Sequence, residues 1–156
     1  MLNASNTIVA ISTAFGAGGI GIVRISGSLA LKIGKQVSRS HLTPRVASFH
    51  SFKDSQDNLI DQGLTLFFPA PNSFTGEDVI EFHCHGGTLV TQSILEICLD
   101  MGADLAEPGD FTKRAYLNNK IDLTQAESVA DLINASTTEA VKSAANSLSG
   151  KFSIEI

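Results

Sequence analysis

The sequence has two cysteines in 156 residues, no cluster of basic side chains, no apolar run of membrane-spanning length and no phosphate-cradling glycine loop. Each absence removes a class of function. Cys84 and Cys98 do not form the C-x-x-C spacing of a redox or metal-binding pair. Cys84 falls on the apolar side of an expected strand and Cys98 on the apolar stripe of an expected helix, so two buried free thiols are expected. The net charge is −5. A self-sufficient grip on nucleic acid needs a basic face, so RNA contact is expected only through a partner or through further chain. A spanning helix needs about 20 apolar residues. With none present and no signal-peptide pattern, the sequence predicts a cytoplasmic protein with no membrane partner. No G-x-x-x-x-G-K-[ST] occurs, so no P-loop exists and this chain alone is expected to bind no GTP.

One glycine motif is present and does not carry its usual meaning. Gly16-Ala17-Gly18-Gly19-Ile20-Gly21 matches the dinucleotide fingerprint G-x-G-x-x-G. That fingerprint opens a helix, whose N-terminus receives the pyrophosphate. Here the continuation Ile20-Gly21-Ile22-Val23-Arg24-Ile25 is a strand pattern, and no acidic residue follows about 20 positions on. The Rossmann reading is rejected. A glycine loop between strands still lets a ligand or a second subunit approach the backbone.

The hydrophobic fraction is 43% and the charged fraction 17%, as in ordinary globular proteins. The first two-thirds mixes strands and helices and the last third is helical. Thr7 to Thr13 and Ile20 to Ser26 read as strands. Ser28 to Val37 reads as a helix with Leu31 and the stem of Lys35 on one side. Ala47 to Lys53 and Gly63 to Pro69 form a hairpin tipped by Asp54 to Asn58, with Leu64, Leu66 and Phe68 sharing a face. Thr88 to Met101 is a helix with apolar positions 90, 94, 97, 98 and 101, stopped by Gly102. A turn at Glu107 to Asp110 precedes a short helix from Phe111 to Asn118. Asp122 caps a helix to about Ala135 with Ala126, Val129, Ala130 and Ile133 inward. Thr137 or Thr138 caps a last helix whose stripe is Val141, Ala144, Ala145, Leu148 and Phe152. These last helices are expected to belong to a bundle completed by further chain or another protomer, or else to fold back on the sheet.

The densest chemistry lies in Pro71 to Gly87, PNSFTGEDVIEFHCHGG. Turn formers bracket a strand in which Ile80, Phe82 and Cys84 alternate with Glu81, His83 and His85. One side suits a core, the other a ligand or water. A carboxylate and two imidazoles also suit zinc or iron. However, residues two apart on a strand are roughly 6–7 Å apart, which strains chelation by three of them, so no metal is expected. Arg24 closes an apolar run, as an edge or solvent-facing arginine does. Lys120 sits at a helix junction, where lysine is commonly a solvated end charge.

Taken together, TIVAIST…GAGGIGIVRISG, PNSFTGEDVIEFHCHGG, EPGDFTKRAYLNNKIDLTQAESVADLINAST and SAANSLSGKFS resemble the N-terminal region of the MnmE (TrmE) family of tRNA-modification GTPases. The resemblance runs through nearly the whole chain, with only residues around 35 to 60 nondescript, and Ala17 stands where many members carry a basic residue. It implies an α+β fold, with a mixed or antiparallel sheet and packed helices like the tetrahydrofolate-binding part of the glycine-cleavage T protein. It also implies a folate-binding and dimerisation domain over residues 1–119 and the first helices of a helical domain over 120–156. The implied ligand is 5-formyl- or 5,10-methylenetetrahydrofolate, contacted by Arg24, Glu81 and Lys120, with no catalytic residue in this chain. The implied partners are a second copy and the flavin-dependent MnmG, with tRNA only in the full complex and GTP, magnesium and potassium only in the full-length protein. Its implied role is C5 modification of the wobble uridine. The competing readings are a stand-alone folate-dependent one-carbon transferase, which lacks an evident acid–base pair beyond Glu81 and the histidines, and an interaction module without folate.

Overall fold

The computed structural model describes residues 6–150. They divide into two units, one running to Ser73 and resuming over Glu77–Pro108, the other taking Phe74–Gly76 and the chain from Gly109 onward.

The first unit is α+β. Its elements are β1 (Ile8–Ile11), β2 (Gly18–Ser26), α1 (Ala30–Ser38), β3 (Ser48–Lys53), β4 (Leu59–Phe68), β5 (Val79–Gly86), α2 (Thr88–Asp100) and β6 (Asp104–Leu105). The strands form one sheet in the order β3-β4-β5-β2-β1-β6. Every neighbouring pair is antiparallel except β1 with β6, which makes the sheet mixed. The two-residue β6 has no counterpart in the sequence reading, because a segment that short has no periodicity to detect.

Strand alternation places one side chain in two in the core. Val9, Val23, Ile25, Ile80, Phe82 and Cys84 are buried there with Ile33 and Val37 of α1 and Ile94 and Cys98 of α2. Phe52 meets Phe82 edge-on at 5.3 Å between ring centroids, a favoured aromatic geometry. In β4 the buried positions are Thr65 and Phe67, whereas Leu64, Leu66 and Phe68 share the less buried face. In the helix α1, Leu31 packs partly buried against the core, and Lys35 does not share that burial. The helix buries Ala30, Ile33, Gly34 and Val37 and leaves Lys35 in solvent. Gly34 explains this, since a Cβ there would lie 2.9 Å from Ile80 Cδ1, so the helix sits on the sheet through its glycine. At the end of α2, Gly102 takes φ 104°. The amides of Ala103 and Gly102 bond back to Cys98 and Leu99 at 3.1 and 3.0 Å, a Schellman stop.

The second unit holds α3 (Asp110–Leu117), α4 (Leu123–Asn134) and α5 (Thr138–Leu148). Asp122 caps α4 in a full capping box with Gln125. Of the two candidate caps for α5, Thr137 serves, accepting from the Ala140 amide at 3.1 Å. The apolar stripes of α4 and α5 are little covered among the described residues. Only Ser128 of α4 and Ala144 of α5 are buried, and Ile133 is 77% exposed. Phe152 lies outside the described residues.

The close approach of strands at glycine gives a test. A Cβ on Gly63 would fall 2.1 Å from the His83 carbonyl oxygen, whereas one on Gly19 would meet nothing within 4 Å. Gly63→Ala is expected to cost about 1–3 kcal/mol of stability. Gly19→Ala should change it by less than about 0.5 kcal/mol. Urea midpoints followed by circular dichroism read the difference.

Candidate functional site

In the β2–β5 register Arg24 lies directly opposite Glu81, and Ile22 opposite His83. Side chains opposed in this way share a face of the sheet. The face is the one turned from Phe82 and Ile80, so the alternation read from the sequence places Glu81 and His83 where expected. Arg24, expected at an edge or solvent-facing position, lies on an interior strand of the sheet with its side chain 30% exposed. Arg24 Nε donates to Glu81 Oε2 at 3.0 Å, and His83 Nε2 lies 2.9 Å from Glu81 Oε1. Each oxygen of one carboxylate therefore has its own nitrogen partner. The Glu81 side chain is only 15% exposed, so much of its hydration has been replaced by these two contacts, the pattern buried charges require.

His85 does not join this cluster. Its ring Nδ1 lies 2.9 Å from Asp61 Oδ1, and its backbone N–H donates to Asp61 Oδ2 at 2.8 Å. Burial opposes the Asp61 charge, but the hydrogen bonds from His85 and from the Gln62 backbone prevail and hold the carboxyl below its usual range. A carboxylate so depressed stabilises the fold above its unfolded value, and that contribution is lost as pH falls through the folded one. The sequence gives no warning of the Asp61 pairing, because it depends on how β4 registers against β5. Among the described residues no group of three or more His, Cys, Asp or Glu side chains is placed to hold a metal ion.

Lys120 belongs to the second unit. Asn119 adopts φ 57°. The Lys120 amide bonds to the Ala115 carbonyl at 2.9 Å and the Asn119 amide to Tyr116 at 3.1 Å, another Schellman stop. The exposed side chain of Lys120 lines an open cavity of about 530 Å³ with Tyr116, Asn119, Asp122 and Gln125. Gly76, at φ 80°, makes room for it. A Cβ there would lie 3.2 Å from Lys120 Cγ. Asn118 Nδ2 ties the same segment down by donating to the Thr75 carbonyl at 2.7 Å.

Both cysteines are free and buried. Burial pushes the Cys84 thiol up to about 11 and the Cys98 thiol up to about 12. The thiolate is the nucleophile, so neither should react with alkylating reagents in the folded chain at neutral pH, and both should label on denaturation. Mass spectrometry after brief labelling checks this, and rapid native modification of either would contradict it.

The sequence matches the family described as "GTP-binding protein TrmE N-terminus" over residues 7–120. It is 53% identical to the "tRNA modification GTPase MnmE" of Pseudomonas entomophila over 94% of this chain and 32% of the relative. It is 54% identical to the protein of that name from Dechloromonas aromatica over 96% of this chain and 33% of the relative. With that of Pseudomonas paraeruginosa the identity is 52% over 98% of this chain and 34% of the relative. The chain thus spans about a third of the length of these curated relatives.

Proposed function

The chain belongs to the TrmE N-terminus family, and from that premise we propose that it is the folate-binding and dimerisation module of a tRNA-modification GTPase. The modification is that of C5 of the wobble uridine, carried out with the flavin-dependent MnmG. GTP hydrolysis, with magnesium and potassium, is assigned on this reading to a domain outside these residues, since the sequence carries no P-loop. Among the described residues no helix is long and apolar enough to cross a membrane.

The observation that carries the folate reading is the oriented carboxylate. An ionised carboxylate offers about four acceptor positions, and Glu81 spends two, on Arg24 and His83. The remainder suits the amide N–H and exocyclic amine that a pterin presents side by side. Arg24, 30% exposed beside it, and Lys120 supply cations for a glutamyl tail or a one-carbon carbonyl oxygen. The Arg24–Glu81 pair therefore suits a 5-formyl- or 5,10-methylenetetrahydrofolate, and Lys120 is added to them on this reading from the family resemblance alone. Bound there, the folate would supply the methylene carbon placed on the uridine. For dimerisation the support is surface. Phe15 is 103% exposed and Ile20 67%, apolar side chains that a second copy would cover.

Isothermal titration with 5-formyltetrahydrofolate tests the first half. Wild type should bind, and Glu81→Ala should weaken binding by tenfold or more, since a hydrogen bond to a charged group contributes about 1.5–3 kcal/mol. Cys84→Ala, on the opposite side of β5, should leave affinity nearly unchanged. Equal affinities for wild type and Glu81→Ala would remove Glu81 from the site.

Light scattering on the purified chain tests the second half. A dimer is expected at tens of micromolar, the range in which an interface of ordinary size holds. A monomer at that concentration rejects the dimerisation role without touching the folate reading.

A further inference from the structure

We infer that His83 is a positioning residue for the folate ligand, fixing the Glu81 carboxylate in the orientation that receives it. The inference rests on the folate reading and adds to it a residue that makes no ligand contact of its own.

Glu81 has two cross-strand neighbours, Arg24 on β2 and Leu66 on β4. Arg24 Nε holds Oε2. A single contact leaves the plane of a carboxylate free to turn about its terminal torsion, which is broad. His83 removes that freedom by holding Oε1 at 2.9 Å from two residues along the same strand. Its own cross-strand neighbours are Ile22 and Leu64, which offer no side-chain hydrogen bond, so Glu81 is the polar group its ring is left to meet. The imidazole is 27% exposed, and its apolar flanks limit the competition from water.

The pairing also fixes a proton. An ionised carboxylate only accepts, so His83 must donate through Nε2–H. Its neutral ring is then the Nε2–H tautomer, with the bare nitrogen at Nδ1. With both oxygens anchored, the carboxylate plane is set before any ligand arrives, and binding need not order it.

The test uses the full chain with three readouts. Nitrogen–proton correlation spectra of the ligand-free protein at mildly alkaline pH should show His83 as the Nε2–H tautomer, and the Nδ1–H tautomer overturns the inference. Titration with 5-formyltetrahydrofolate should show a loss of about tenfold for His83→Leu, which removes the donor. It should show near-wild-type affinity for His83→Gln, whose amide N–H can donate from a similar place. Circular dichroism establishes that each variant is folded. Should His83→Leu not fold, His83→Gln and the tautomer decide. Finally, His83→Leu placed on Glu81→Ala should cost no further affinity, as coupling through a shared partner requires.

Wild-type binding with unchanged affinity in folded His83→Leu overturns this inference alone. Folded His83→Gln that binds as poorly as His83→Leu does the same, because shape rather than the donor would then matter. Absence of binding by wild type overturns the folate reading itself and this inference with it.

Discussion

The register of β2 against β5 is the constraint on which the rest of the first unit depends. Because side chains alternate, a slip of one residue would turn Glu81 and His83 into the core and Phe82 out of it. What holds the register is backbone proximity at glycine. A Cβ on Gly86 would fall 2.5 Å from the Gly18 carbonyl oxygen, and one on Gly21 would fall 2.5 Å from Thr91 Cγ2 and 3.3 Å from the Gly86 Cα. At that end of the ladder the strands approach closely because Gly18, Gly21 and Gly86 lack side chains, and the register shifts between Gly18 and Gly21 at that place. Within the stretch that imitates a dinucleotide fingerprint, strand packing accounts for Gly21, while an added Cβ on Gly16 or Gly19 would meet nothing within 4 Å.

From that register the charges follow. Arg24 can meet Glu81 only because the two are opposed across the strands, and His83 can meet Glu81 only because both face away from the core. A paired, partly buried ion cluster is weak ground for stability by itself, since desolvation offsets much of the attraction. The apolar side does the stabilising, with Val9, Val23, Ile25, Ile80 and Phe82 all buried. Evolution could fill Arg24 and Glu81 with apolar side chains at little cost to the fold.

What could be read from the sequence is what is local. The alternation of Val79 to His85, the stop at Gly102 and the cap at Asp122 are each decided by residues within a few positions of one another. What could not be read depends on distant chain. Leu31 and Lys35 lie as regularly on a helix as Ile33 and Val37 do. The choice between the two faces was made by Gly34 against Ile80 and Leu42. Arg24 read as an edge or solvent-facing arginine because its partner lies 57 positions away. Asp61 carries no local signal of its pairing with His85, which exists only once β4 registers with β5. The uncovered stripe of α4 is the same lesson in reverse. Periodicity identified Ile133 as apolar and in phase, but periodicity does not say what covers a face, and here Ile133 stays largely exposed.

A site built on a sheet face has an energetic consequence that a loop site lacks. The backbones of β2 and β5 are fixed by the ladder, so the positions of the Arg24 and Glu81 Cα atoms are set when the protein folds. Only side-chain torsions are left to order. Glu81 has both oxygens engaged, and the cost of taking its charge partly out of water is met at folding by Arg24 and His83. A ligand that presents two N–H groups to this carboxylate then meets an acceptor already desolvated and aimed, and more of its hydrogen-bond energy appears as affinity.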